Sequence, residues 1–124
     1  MRPRDLTALI GDIQGCIQEI EQFTSGFTFN DFEQSALVQR AVERDFIIIG
    51  EAVKRMRHVS EEVSSRIDRA VSISGFRNFL VYEYEVIDEK QVWRTVTDSV
   101  PLLKQQINAW ADELGMEPLP EQTR

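Results

Sequence analysis

Along the first two dozen residues, the apolar positions Leu6, Leu9, Ile10, Ile13, Ile17, Ile20 and Phe23 recur at steps of three and four. Asp12, Gln14, Gln18, Glu19 and Glu21 fill much of the remainder. This is the stripe of an amphipathic helix, predicted over residues 4–24 and closed by Ser25-Gly26. Gly11 and Gly15 each cost roughly 1 kcal/mol against alanine in a helix, and their four-residue spacing predicts a close helix contact. A second helix is expected to begin between Thr28 and Asp31. Thr28 would cap it with Phe27 and Phe32 as a hydrophobic staple, or Asn30 and Glu33 would form a competing capping box. The run meets no glycine or proline until Gly50, and its pattern continues to Arg57. Leu37, Val38, Ala41, Val42, Phe46, Ile49, Val53 and Met56 make its apolar side, and Ile47 and Ile48 widen it. A helix buried on two faces belongs at the centre of a bundle or at a subunit interface.

Ser60 reads as an N-cap, with Glu61 and Glu62 in the electropositive first turn of a short helix reaching about residue 68. A second helical piece carries residues 73–84, with a bend expected near Ser74-Gly75. Asp88 and Gln91 then form the start of the last helix. Val92, Val96, Val100, Leu103, Ile107, Trp110 and Leu114 make its stripe, Pro101 interrupts it, and Gly115 ends it. The sum is an all-α, up-and-down bundle of about five helices, with the second and last the longest. One domain is expected over residues 1–115. The tail over 116–124, with Pro118 and Pro120, is expected to fray.

Composition narrows the classes. The formal net charge of −7 over 124 residues argues against broad duplex binding through a basic surface, and leaves room for a small basic site. One cysteine and one histidine, Cys16 and His58, exclude an internal disulfide and make a poor set for a metal; no metal and no cofactor is expected. Lys54, Arg55, Arg57 and His58 complement the negative pole of the second helix. The start, Met1-Arg2-Pro3-Arg4-Asp5, lacks the apolar run of a signal peptide. The apolar stretch from Phe46 to Ile49 is too short to span a bilayer. A cytoplasmic protein with no membrane partner is the expectation.

Candidate chemistry is concentrated in residues 73–84. On a helix, Asn78 and Tyr82 lie one turn apart, Arg77 and Tyr84 share another face, and Phe76, Phe79 and Leu80 form a buried stripe. Read from the residues alone, Arg77 could equally pair with Glu83 or Glu85, and Tyr84 could pack its ring and keep its hydroxyl in water. The run from Arg77-Asn78 through Tyr82 to Tyr84 resembles the Arg-X4-His-X-Tyr motif of the HEPN superfamily, in particular the HepT-like toxins. Other segments agree in order. Arg44, then Phe46-Ile47-Ile48-Ile49-Gly50-Glu51-Ala52, resembles the family's arginine-apolar-Gly-Glu-Ala segment. Val92-Trp93 and Val100-Pro101-Leu102 resemble its last helix. Tyr82 stands where the family has its histidine.

The resemblance implies a homodimeric HEPN-like bundle acting as a metal-independent endoribonuclease. It would be the toxin of a type VII-like toxin–antitoxin system. Arg77, Asn78 and Tyr82 would be the catalytic group, with Arg44 and Glu51 in support. Tyr84 would accept AMP from a minimal nucleotidyltransferase antitoxin. Residue chemistry fits in part. Arginine donates two parallel hydrogen bonds to phosphate. Five residues along a helix turn through about 140°, so positions 77 and 82 converge on one target only if two copies meet near a dyad. A tyrosine, with an ordinary pKa of about 10, can donate a proton at neutral pH but is a poor base. The alternative is therefore a catalytically silent HEPN dimer that binds RNA, a nucleotide or the nucleotidyltransferase. Glu51 has a bland reading too, an i, i+4 pair with Arg55.

Overall fold

The computed structural model describes the backbone of residues 3–82 and 87–120, and the side chains of residues 6–76, 80–81 and 87–120. Within these residues the chain is helical and has no strand. Helix α1 spans Pro3–Thr24, α2 Phe29–Glu33, α3 Ala36–Val59, α4 Val63–Arg66 and α5 Asp68–Tyr82. Then α6 (Glu89–Arg94), a π-helical turn (Thr95–Ser99) and α7 (Val100–Glu113) follow one another as a single rod. Four rods result, α1, α3, α5 and α6–α7, and each packs on the rods next to it in sequence, with α7 closing back on α1.

Pairs across the seams fix the directions. Gln14 Nε2 donates to Asn108 Oδ1 at 2.9 Å, and Lys104 Nζ reaches Glu21 at 3.0 Å. As numbering rises on α1 it falls on α7, so these two rods are antiparallel. Gln106 of α7 accepts from the Arg69 backbone N–H and donates to Asp68, while Arg66 of α4 pairs with Glu113. The expected up-and-down bundle is what forms. Ile10, Ile13 and Ile20 of α1, Phe46, Ile49 and Met56 of α3, Ile73 of α5 and Leu103, Ile107 and Trp110 of α7 fill its centre. Burying each such side chain contributes about 1.5–3 kcal/mol.

The single second helix expected from the pattern is two. Thr28 N–H donates to Asp31 Oδ2 at 2.9 Å and Asp31 N–H donates to Thr28 Oγ1 at 3.2 Å, a reciprocal capping box that starts α2. The competing Asn30–Glu33 box is not used. Helix α2 stops after five residues because Ser35 caps a new helix, its Oγ accepting from Val38 N–H at 3.2 Å. Gln39 holds the break together by donating to the carbonyls of Phe32 and Glu33. Phe32 is fully buried, its ring centroid 5.1 Å from that of Trp93.

Three further expectations change. Ser60 ends α3, its N–H donating to Met56 O, and the helix after it shrinks to the four residues of α4. Helix α5 passes through Ser74-Gly75 without leaving helical hydrogen bonding. Gly11 and Gly15 are not tight contacts, since a Cβ at either would meet nothing within 4 Å among the described residues. Pro101 has no N–H for the carbonyl four residues back. The π-helical turn lies just ahead of it, with Val100 N–H donating to Thr95 O, five residues back. At the far end Gly115 takes φ +72°, and Met116 N–H and Gly115 N–H donate to Ala111 O and Asp112 O, a Schellman close. Residues 116–120, where the tail was expected to fray, turn back over α1, with Gln18 Nε2 donating to Pro120 O at 2.9 Å. Residues 121–124 lie outside the described residues.

Candidate active site

Helix α5 carries positions 77, 78 and 82 on its last turns. Their level in the bundle is set one residue earlier, where Phe76 meets Phe46 of α3 edge-on, centroids 5.9 Å apart and rings at 65°. Because α3 and α5 are antiparallel neighbours, residues 77–82 pass the stretch of α3 running back from about residue 45 to residue 40. The side chains of Arg77, Asn78 and Tyr82, expected as the catalytic group, lie outside the described residues. So does all of Tyr84, the expected AMP acceptor.

The supporting pair is described, and the structure brings its members together. Arg44 and Glu51 line one groove between α3 and α1, with Leu9, Asp12, Ile47, Ile48, Ala52 and Arg55, and a volume of about 360 Å³. Arg44, Ile48, Glu51 and Arg55 follow one another at steps of four, three and four, so they share one line on the helix. That line points away from the stripe of Val42, Phe46, Ile49 and Val53, which is fully buried. Arg44 is exposed and Ile47 and Ile48 are half-buried. The second apolar face expected for this helix is therefore this outward groove. Arg55, the expected partner of Glu51, lines it too.

Two carboxyls that the sequence reading passed over sit in α3 at the level of the motif. Glu43 is 7% exposed. Arg40 Nη1 donates to both its oxygens, at 3.1 and 2.9 Å, and reaches Glu89 Oε1 at 3.8 Å. Burial, and then the neighbouring Glu89 carboxyl, push the Glu43 carboxyl up to about 7, against the opposing pull of Arg40. Glu89 Oε2 is buried with no donor among the described residues. This cluster ties α3 to the first turn of α6, the helix that follows the motif, with a group that can exchange a proton near neutral pH. Asp45 is the other buried acid, at 2% exposure. The available signal was position: Glu43 stands three residues before Phe46 and Asp45 four before Ile49, so each borders the core stripe.

Among the described residues, no three His, Cys, Asp or Glu side chains gather in a way that would hold a metal ion. No helix of the described residues is long and apolar enough to cross a membrane. The basic end of α3, Lys54, Arg55, Arg57 and His58, is exposed at the last turns, as helix-pole complementarity requires.

The up-and-down bundle carries the arginine-asparagine pair on the rod beside its central helix, as the resemblance to HEPN proteins implied. The model of the family described as Ribonuclease HepT-like matches residues 13–110, from α1 to α7 and across the whole motif. The chain belongs to this HepT-like family of the HEPN superfamily. It is similar to "Probable ribonuclease HepT" of Thermococcus cleftensis, 33% identical over 93 residues, which cover 75% of this chain and 84% of the relative. It is also similar to "Putative RNase TTE0752" of Caldanaerobacter subterraneus, 33% identical over 95 residues, covering 77% and 83%. "Putative RNase MJ1380" of Methanocaldococcus jannaschii is 29% identical over 107 residues, covering 86% and 97%. No solved structure matches the chain.

Proposed function

We propose that this chain is a HepT-like endoribonuclease that cleaves RNA without a metal ion. The observation that carries this reading is the family match over residues 13–110, which contains the Arg77-to-Tyr84 run on and beyond α5. Cleavage of an internal phosphodiester requires the ribose 2′-hydroxyl to lose a proton and attack phosphorus, while the departing 5′-oxygen gains a proton. The pentavalent phosphorus carries extra negative charge between those events. Arg77 holds that charge with two parallel hydrogen bonds. Asn78 and Tyr82, one turn apart, flank the reacting atoms; solvent takes the proton of the 2′-hydroxyl, and Tyr82 supplies the proton to the leaving oxygen. The site is completed by a second copy. The outward groove of α3, with Ile47 and Ile48 half-buried in it, is the apolar surface on which the two copies meet, with Arg44 and Glu51 beside the cleft.

In this reading the protein is the toxin of a cytoplasmic toxin–antitoxin pair. Its antitoxin, a minimal nucleotidyltransferase, silences it by transferring AMP to the Tyr84 hydroxyl. Co-expression with such a partner, followed by mass measurement of the intact chain and its Tyr84→Phe variant, tests this. The parent should gain one AMP and the variant none.

One observation favours a second reading, a silent dimer that binds RNA or the nucleotidyltransferase: Tyr82 occupies the position of the motif histidine. Comparing parent and Tyr82→His on single-stranded RNA near pH 7 separates the two. General acid–base assistance contributes roughly 10²–10⁴-fold, and a phenol keeps only the acid half. The active-enzyme reading expects a slower parent, whose rate rises towards alkaline pH only if a tyrosinate serves as base; the silent reading expects activity only in the variant. If Tyr82→His is no faster, residue 82 is not at the reacting centre. Helicity of the variant is measured alongside its rate.

A further inference from the structure

A pocket of about 370 Å³ opens between α1 and α7, and the chain returning beyond α7 forms its third wall. Among the described residues its lining comes from α1, α7 and that returning tail, and none from α3 or α5. The volume is in the range of small-molecule sites. Ile17 and Ala111, both buried, give it apolar surface, and the half-buried Met116 adds more. The polar lining is unevenly occupied. Gln14 Nε2 donates to Asn108 Oδ1 and Gln18 Nε2 donates to Pro120 O, each at 2.9 Å. Lys104 Nζ donates to both Glu21 oxygens, at 3.1 and 3.0 Å. These donors are engaged, while acceptors are left over. Gln18 Oε1 is buried with no donor among the described residues, a costly state for a carboxamide oxygen. The Asp112 and Glu117 carboxylates line the same pocket, and no cation among the described residues pairs with either.

This surplus defines the chemistry of an occupant. Against the one ammonium of Lys104 stand three carboxylates, Glu21, Asp112 and Glu117, so an anion is repelled. A hard metal ion takes six or more oxygens, and no metal-holding group of acidic, histidine or cysteine side chains gathers among the described residues. What remains is a cation that brings N–H donors on an apolar stem, the division by which a lysine lays its methylenes on apolar surface and keeps its head with polar partners. We infer that the α1–α7 pocket binds a short aliphatic polyamine, with its ammonium groups on Asp112, Glu117 and the Gln18 carbonyl and its methylenes against Ile17, Ala111 and Met116. The terminal torsion of a glutamine side chain is broad, so a small rotation offers Oε1 to the incoming donor. The site stands apart from the RNA-cleavage reading and survives its failure.

Titration calorimetry of the full-length protein with spermidine tests it, in about 0.15 M sodium chloride, where exposed charges more than about 8 Å apart are largely screened. The parent should bind one spermidine per chain, saturably. Asp112→Asn combined with Glu117→Gln should bind about fivefold more weakly or worse, the scale on which two exposed charge pairs act. Glu33→Gln combined with Glu61→Gln removes the same charge from exposed positions outside the pocket and should bind as the parent does. Gln18→Leu, which removes the unpartnered oxygen, should weaken binding as well. Magnesium chloride at the concentration of spermidine should leave the isotherm unchanged. Absence of saturable binding would overturn the inference. Equal weakening in the two double variants would overturn it too, because the attraction would then be net charge alone, as would displacement of spermidine by equimolar magnesium. Parental affinity in Gln18→Leu would put the amine elsewhere and count equally against it. Helicity of each variant is measured beside its isotherm, and the exposed positions of Asp112 and Glu117 keep the first comparison free of folding effects.

Discussion

A carboxylate in a helix core is costly unless its charge is neutralised or paired, and Glu43 shows how this chain manages one. Arg40 gives it two hydrogen bonds from an exposed position, so the guanidinium is screened and does not cancel the burial. Glu89 adds a like charge, and the result is a carboxyl raised from 4.5 to about 7. A group raised in the folded state contributes stability that is fully present below its unfolded value. That contribution is lost as pH climbs to the folded value. Denaturant unfolding of the parent should therefore lose up to about 1.4 kcal/mol per pH unit between pH 4.5 and 7 relative to Glu43→Gln. Equal slopes in the two proteins would remove Glu43 from this role. Sequence position shows only that Glu43 and Asp45 border the core stripe of α3, not that they are buried. Both lie on a helix rich in charge, and the carboxyls that act on them, Glu89 and Glu19, are distant along the chain. The arginine and amide of the motif were legible because their chemistry is local and ordered, and the Arg44-to-Ala52 segment for the same reason.

At the scale of elements, hydrophobic period placed the rods, while capping chemistry decided where they break. The pattern from Leu37 to Met56 runs on smoothly from Phe32, so nothing in periodicity separates α2 from α3. The separation comes from the Ser35 hydroxyl taking the Val38 N–H, with Gln39 bonding back over the joint. Ser35→Ala should cost roughly 0.5–2 kcal/mol, the usual loss for a cap, measured by urea unfolding. A cost near zero would mean that Gln39 and the burial of Phe32 alone hold the joint. Pro101 illustrates the same division. Its effect on the ladder was predictable, but not that the rod would answer with a π-helical turn over Thr95–Ser99. Gly115 is the opposite case, because a glycine after the last apolar position announces a left-handed close, and φ of +72° is what forms. Gly115→Ala should destabilise by about 1 kcal/mol through strain at that angle.

For the molecule as a whole, α3 is the common support: it packs on α1 and α5, and its outward line carries Arg44, Ile48 and Glu51. The proposed cleft calls for a second copy, because positions 77 and 82 are turned about 140° apart on one helix. Light scattering should give a dimer at micromolar concentration, and Ile48→Glu should shift it to monomer with its helicity unchanged. A monomeric parent would remove the shared cleft. The central claim is that Arg77 holds the phosphate in a metal-free cleavage. The measurement is the cleavage rate of single-stranded RNA by purified parent and Arg77→Ala, both in EDTA. The account predicts that the parent cleaves undiminished by the chelator and that Arg77→Ala loses about 10²-fold or more, the scale on which charge-stabilising donors act. Cleavage by Arg77→Ala at the parent's rate, or loss of the parent's activity in EDTA, would contradict it.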